Sequence, residues 1–235
     1  MLIVILLAYL SMPLMAMLNL LSMQLSENHV NTMMLEMMEN PYWVNLFFVA
    51  ILPAISEEFI FRGVIFHSYR EAGILKGAIF SGILFGLIHL NLNQFSYAFV
   101  MGIIFALLIE ATGSIFAPII FHFIINGNSI TLATLSMKLM SPEEITMMGD
   151  MSQTQVMGLS SESMGIIILM GVIVVFLISF LAILVYIWLA KRSGRISHIK
   201  NLFKKKEKSI ERIMDIPLLI GILGCILFII LTEIG

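Results

Sequence analysis

Three charged side chains stand inside an otherwise apolar run of the sequence. Glu57, Glu58 and Arg62 lie within residues 43–66, where most other residues are hydrophobic. If that run crosses a bilayer, each charge near its middle costs about 2.5 to 3.5 kcal/mol on the insertion scale. A segment that served only as an anchor would not carry three such charges. We therefore expect polar groups from other segments to face them.

Helical spacing gives the two acids different surroundings. Glu58 and Arg62 are four residues apart and share one helix face, so that the guanidinium can pair with the carboxylate. The side chain of Glu57 points about 100° away and is free to meet residues of other helices. This spacing predicts one structural carboxylate and one chemical carboxylate. The alternative, in which both acids are simply neutralised inside a packed bundle, stays open at this point.

Two further motifs carry histidines at the same four-residue spacing. The ring of Phe85 can fix the imidazole of His89 by packing. His122 and Asn126 project from one face, so both can donate hydrogen bonds to one oxygen atom. A glutamate with a histidine can take a proton from water and deliver one to a leaving amine.

Composition indicates a polytopic membrane protein. The chain has 235 residues, of which 60% are hydrophobic and 12% are charged, whereas a soluble domain has about 25% charged residues. No polar block is long enough to form a second globular unit, so we expect residues 1–235 to form a single all-α transmembrane helical bundle. The lone Cys225 excludes an internal disulfide.

Seven apolar runs predict about seven transmembrane spans. They occupy residues 1–22, 42–69, 75–90, 95–109, 115–139, 164–190 and 213–234. Pro53 lies four residues before Glu57, where the loss of a backbone hydrogen bond predicts a local bend. Ser114 is placed to cap the fifth helix.

The basic residues indicate how the spans are oriented in the cell membrane. Residues 191–212 contain nine of the 13 Lys and Arg residues, whereas the polar loops at 23–41 and 141–163 contain none. The positive-inside rule places the basic loop and the N-terminus in the cytoplasm, and the 141–163 loop and the C-terminus outside. We prefer this explanation of the basic loop to nucleic-acid or anionic-lipid binding, and expect no nucleic-acid partner. Glu110 is expected to be an interfacial charge, and His198 is given no role.

The polar residues of three different spans fall at similar depths. Measured from the cytoplasmic ends at 1.5 Å per residue, Glu57 lies about 18 Å deep, His89 about 20 Å, His122 about 10 Å and Asn126 about 16 Å. Such a polar layer within a membrane predicts a site.

The three motifs together resemble those of the CAAX protease and bacteriocin-processing family of intramembrane endopeptidases. The motifs are Glu57-Glu58-x-x-x-Arg62, Phe85-x-x-x-His89 and His122-x-x-x-Asn126, and the similarity covers a core of about residues 42–130. The resemblance implies a helical membrane fold and hydrolysis of a peptide bond in a membrane-associated peptide or protein. It also suggests peptide or bacteriocin processing, or self-immunity.

The resemblance assigns a role to each motif residue. Glu57 would be general base and then acid, and His89 would help to hold and activate the water. His122 and Asn126 would stabilise the oxyanion. The supporting residues would be Glu58, Arg62 and Phe85.

Whether a metal takes part is left open by the residues. Glu57, His89 and His122 would be enough to hold a zinc ion with an open position for water. An asparagine that faces the same point suits an oxyanion site, and we favour a metal-independent reaction. Two non-proteolytic alternatives also remain: an immunity or scaffolding protein without catalysis, and an ion or proton carrier.

Overall fold

The computed structural model describes residues 1–22, 40–139, 161–202 and 216–234. Within these ranges the regular structure is helical and there is no strand. Most of the acidic loop expected at 141–163, and the part of the basic loop beyond 202, lie outside the described residues.

Eight helices make up the described part of the chain. They are α1 (Leu2–Ser22), α2 (Tyr42–Ala72), α3 (Ile74–Leu87), α4 (Leu92–Thr112), α5 (Phe116–Leu139), α6 (Ser161–Arg192), α7 (Ile196–Lys200) and α8 (Ile216–Ile234). Five of them, α1, α2, α4, α5 and α6, are long and apolar enough to cross a membrane, while α3 and α8 are shorter apolar helices. The predicted multi-pass helical bundle is confirmed. At 14 residues, however, α3 covers only about 21 Å.

The core lies where α1, α4 and α5 pack together, and α6 covers it from outside. Its buried side chains include Val4, Leu7, Met101, Phe105, Leu108 and Phe121. The apolar stretch of α6 exposes most of its side chains, as expected for a helix whose solvent is lipid. Tyr186 joins α6 to α4 by donating a hydrogen bond to the carbonyl of Leu107 at 2.9 Å.

Small residues bring α3 and α4 into backbone contact. Ala78, Gly82 and Gly86 recur every four residues along α3 and are buried. A Cβ atom added to Gly102 of α4 would lie only 2.6 Å from the Cα atom of Gly82. Small residues at such intervals allow membrane helices to pack closely. This contact brings the backbone of α4 toward α2 as well, because the Gly102 position is also next to Arg62.

Helix α2 changes its winding around the charged motif. It is a π-helix at Leu46–Ile51, an α-helix at Leu52–Glu58 and a π-helix again at Phe59–Phe66. Pro53 stands at the start of the α-helical part. The sequence predicts an irregularity at this proline, but no residue pattern marks the two π-helical segments. π-Helical turns are frequent at functional sites because they redirect side chains.

The α3–α4 contact predicts the effect of adding one methyl group. Gly102→Ala is expected to destabilise the protein by about 1–3 kcal/mol, since the backbones must separate. Thermal unfolding in detergent measures this loss. The matched control is Gly171→Ala in α6, where nothing lies within 4 Å of an added Cβ atom. Equal unfolding midpoints for the two variants would contradict the close packing.

Candidate active site

A fully buried ion pair connects three helices at the centre of the site. Arg62 Nη1 donates to Oε1 of Glu58 at 3.1 Å, and both side chains are 0% exposed. Nη2 donates to the carbonyl of Gly102 on α4 at 3.1 Å. The guanidinium carbon lies 4.5 Å from the ring centre of Phe85 on α3 and 4.8 Å from that of Phe105 on α4. The pair predicted from the four-residue spacing is therefore present, and it ties α2 to both neighbours.

Glu58 also orients His122, a contact that the sequence did not indicate. The same Oε1 atom lies 3.1 Å from Nδ1 of His122 on α5. A carboxylate paired with arginine can only accept, so Nδ1 carries the proton. The two residues are 64 positions apart, and no local periodicity reports such a contact.

Asn126 contacts the other side of the His122 ring. Its Nδ2 atom donates to the carbonyl of Val49 at 3.0 Å and to Nε2 of His122 at 3.1 Å. Nε2 therefore accepts, which makes the imidazole neutral with its proton on Nδ1. The sequence predicted that His122 and Asn126 would face one point. They do lie together, but in this arrangement they are hydrogen-bonded to each other.

Glu57 has different surroundings from its neighbour Glu58. Its side chain is 25% exposed, and Oε2 lies 3.9 Å from Nε2 of His122. It also interacts electrostatically with His89. Among the described residues, no lysine or arginine comes within ion-pair distance of Glu57. The Glu58 carboxylate is thus enclosed and hydrogen-bonded, whereas the Glu57 carboxylate is partly exposed near His89 and His122.

His89 lies in a turn rather than on a helix. The sequence placed it inside the span at 75–90, but α3 ends at Leu87. Its Nδ1 atom is 2.9 Å from the carbonyl of Phe85, so that Nδ1 donates and Nε2 is left as the acceptor. The next residue, Leu90, adopts a left-handed conformation with φ 52°, which ends the helix and turns the chain toward α4.

The ring of Phe85 separates and supports the two imidazoles. Its centre lies 5.3 Å from that of His89 and 5.8 Å from that of His122, both in edge-to-face contact. Phe105 stacks on the other face of His122 at 5.1 Å. The sequence singled out Phe85 but not Phe105, which lies in an apolar run without any distinguishing spacing.

Comparison with known proteins finds a family model that matches this part of the chain. Residues 39–127 match the family model described as type II CAAX prenyl endopeptidase Rce1-like. The match contains every site residue named above. This segment is similar to the Rce1-like family.

One curated protein is similar to part of the chain. The chain is 33% identical over 78 residues to the protein named "Putative membrane peptidase YdiL" from Bacillus subtilis (strain 168). The alignment covers 33% of this chain and 32% of that relative, about a third of each. No solved structure matches the chain.

The sequence leaves open whether a metal ion binds in this segment. Glu57, His89 and His122 are the three candidates, yet the described residues contain no group of three His, Cys, Asp or Glu side chains arranged to hold a metal ion. Nε2 of His122 is already bonded to Asn126, and Nδ1 to Glu58. The donor set as placed therefore does not fit a three-ligand zinc site.

A second buried carboxylate lies at the other end of α4. The sequence predicted Glu110 to be an interfacial charge, but its side chain is 0% exposed. Its oxygens lie 2.7 Å from Arg70, 3.8 Å from Arg195 and 3.1 Å from His198. Nε of Arg195 also donates to the carbonyl of Glu110 at 2.8 Å. Gly113 leaves room for Arg195, because an added Cβ atom there would lie 3.0 Å from its guanidinium.

The different surroundings of the adjacent acids predict different effects on stability. Glu58→Gln is expected to destabilise the protein by about 3–5 kcal/mol, because it leaves a buried arginine without its counter-charge. Glu57→Gln should change stability by less than about 1 kcal/mol, since no cation depends on it. Denaturant or thermal unfolding in detergent compares the two variants directly. A larger loss of stability for Glu57→Gln than for Glu58→Gln would contradict the structural role given to Glu58.

Proposed function

We propose that this protein is an intramembrane endopeptidase that hydrolyses a peptide bond in a membrane-associated peptide or protein, using water activated by Glu57. The observation that carries this proposal is the open position of the Glu57 carboxylate, 3.9 Å from an oriented imidazole. Glu58, one residue away, is occupied by Arg62 and His122. The chain thus combines a free carboxylate with a rigid support.

In this mechanism Glu57 first acts as a base and then as an acid. A water held between its carboxylate and His89 gives up a proton to Glu57, and the hydroxide forms a bond to the carbonyl carbon of the substrate. The proton then passes from Glu57 to the leaving amine as the carbon–nitrogen bond breaks. Because Nδ1 of His89 is used by the Phe85 carbonyl, Nε2 is the atom that faces this water.

Asn126 supplies the electrostatic part of the mechanism, and His122 holds the Asn126 amide in place. Their Nε2 and Nδ2 atoms are 3.1 Å apart and border the space next to Glu57. A developing oxyanion at this point would accept the hydrogen bond that Asn126 Nδ2 now donates to Nε2 of His122. Donors fixed before the reaction stabilise such charge strongly in a site with little water.

The family match supports peptidase chemistry in general terms. The matched family is described as a prenyl endopeptidase family, and the curated relative is named a membrane peptidase. Because only about a third of that relative is aligned, we do not assign its substrates to this chain. We propose a reaction without metal, because both nitrogens of His122 are used in holding the ring.

The proposed role of Glu57 predicts a loss of activity without a loss of fold. Glu57→Gln is expected to lower the rate of cleavage by about 10²- to 10⁴-fold, the usual contribution of a general base. Membranes from cells with the intact protein and with this variant are compared by proteomics, and a fragment found only with the intact form is then tested as purified substrate. Glu71→Gln, in the last turn of α2 and outside the site, is the matched control.

Identical fragment sets for the intact protein and the Glu57→Gln variant would contradict the peptidase mechanism. If resistance to a bacteriocin remained in that case, the immunity function raised by the sequence would explain the chain instead.

We further propose that the end of the bundle containing Glu110 faces the cytoplasm, with the N-terminus inside and the C-terminus outside. Arg70 lies in the last turn of α2 and Arg195 follows α6, and both contact Glu110. These two connections therefore lie on one side, as the positive-inside rule requires for the basic segments.

Cysteine labelling tests this orientation. In a Cys225→Ser background, Ser197→Cys should react with a membrane-impermeant maleimide only after the cells are opened, because residue 197 is exposed on the basic side. Ser152→Cys, in the acidic loop, should react in intact cells. Labelling with the opposite pattern would invert the proposed topology.

A further inference from the structure

We propose that the groove between the end of α2 and the first half of α3 binds an anionic phospholipid, with one acyl chain in the groove and the phosphate group at Lys76. Lipid binding at this position does not depend on the proposed peptidase function. Only the leaflet that supplies the lipid depends on the proposed orientation.

The groove lies where the end of α2 packs against α3. Its volume is about 270 Å³, and its almost entirely apolar wall includes Tyr69, Ala72, Lys76, Ile79, Phe80 and Ile83. Gly77 also borders it and lets the two helices approach, because an added Cβ atom there would lie 2.8 Å from the backbone nitrogen of Arg70. The rings of Tyr69 and Phe80 lie 4.4 Å apart. The groove is therefore formed by side chains of two helices that contact each other closely.

The order of residues along α3 matches the order of groups in a phospholipid. Lys76, Ile79, Phe80 and Ile83 share one face, because they are three or four residues apart. Lys76 lies in the first turn of α3, and the three apolar residues follow it toward the middle of the membrane. The helix has 14 residues and spans about 21 Å, less than the roughly 30 Å of the hydrocarbon core. A lysine at the end of so short a helix extends its stem to reach the head groups.

Lys76 has no counter-charge within the described part of the chain. Its side chain is exposed, and no acid among these residues lies within ion-pair distance of it. Arg70, six positions earlier, differs because Glu110 lies 2.7 Å from its guanidinium. The helix dipole also disfavours a cation in the first turn of α3. An anion supplied from outside the chain would therefore complement the Lys76 ammonium group.

The apolar wall beside Lys76 indicates that this anion carries an acyl chain. In a bilayer the groove faces lipid, so close van der Waals contact with a chain takes the place of the hydrophobic effect. A phospholipid joins such a chain to a phosphate group, whereas a soluble anion would use the ammonium group alone. Basic pockets between membrane helices on the cytoplasmic side bind anionic head groups in this way.

Binding of a defined lipid to the full-length protein in detergent tests the charged part of the site. Native mass spectrometry measures bound dioleoyl-phosphatidylglycerol, and dioleoyl-phosphatidylcholine serves as a lipid with the same chains and no net charge. The intact protein should prefer the phosphatidylglycerol. Lys76→Gln is expected to weaken phosphatidylglycerol binding about fivefold, the effect of one lysine next to anionic head groups. Lys76→Arg, which keeps the charge, should retain the preference.

A second variant tests the apolar part of the site. Ala72→Phe places a ring in the groove and should weaken the binding of both lipids to a similar extent, because the acyl chain is displaced. Glycerol phosphate has the charge of the head group without the chains, and at equal concentration it should not displace the phosphatidylglycerol.

The matched control is Lys191→Gln at the end of α6. It removes the same charge from an exposed position on the same side of the bundle and should leave lipid binding unchanged. An equal loss in Lys191→Gln and Lys76→Gln would show diffuse attraction to surface charge and overturn the proposal. Unchanged phosphatidylglycerol binding in Lys76→Gln, or displacement by glycerol phosphate, would also overturn it. None of these measurements involves cleavage of a peptide bond, so failure of the proposed function would not alter their outcome.

Discussion

The buried contact between Glu58 and Arg62 is the constraint on which the rest of the site depends. An arginine without water needs its charge compensated by protein, because the desolvation penalty is several kcal/mol per ion. Arg62 has one carboxylate, the carbonyl of Gly102 and two aromatic faces for this purpose, while its Nε atom has no hydrogen-bond partner among the described residues. Its partners come from α2, α3 and α4. A shift of any of these helices would therefore expose a charge to an apolar environment, so the pair fixes the relative positions of the helices that carry the site.

The small residues of the α3–α4 contact belong to the same constraint. Arg62 reaches the carbonyl of Gly102 only because that segment of backbone has no side chain in the way, and Gly82 allows the two helices to approach. Larger residues at the crossing would move α4 outward, and with it Phe105, whose ring stacks on His122. Packing between two helices without catalytic groups on their contact face thus determines the position of a catalytic candidate on a third helix.

The sequence predicts those features of this protein that have a local period, and only those. Hydropathy predicts the helical membrane bundle, and four-residue spacing predicts the pairs Glu58–Arg62, Phe85–His89 and His122–Asn126. Contacts between distant segments leave no periodic pattern in the sequence. Glu58 contacts His122, 64 positions away, and Asn126 contacts Val49, 77 positions away. Helix ends were also uncertain, because an apolar run continues past the last helical residue. His89 consequently lies in a turn, although its sequence surroundings are those of a span.

Glu57, Glu58 and Glu110 are the three acids in the described interior of the bundle. The number of charged partners that each carboxylate has, more than how deeply it is buried, decides which of them can act as a base. Glu110 is 0% exposed, and its two carboxylate oxygens are shared among Arg70, Arg195 and His198. Glu58 is equally buried and serves Arg62 and His122. Their negative charges are already used to hold other groups: Glu58 pairs with the buried Arg62, and Glu110 pairs with the partly exposed Arg70 and Arg195. Glu57 faces imidazoles instead, and these can remain neutral when it takes up a proton. Of the three carboxylates, it is the one that can gain and lose a proton while the support around it stays intact.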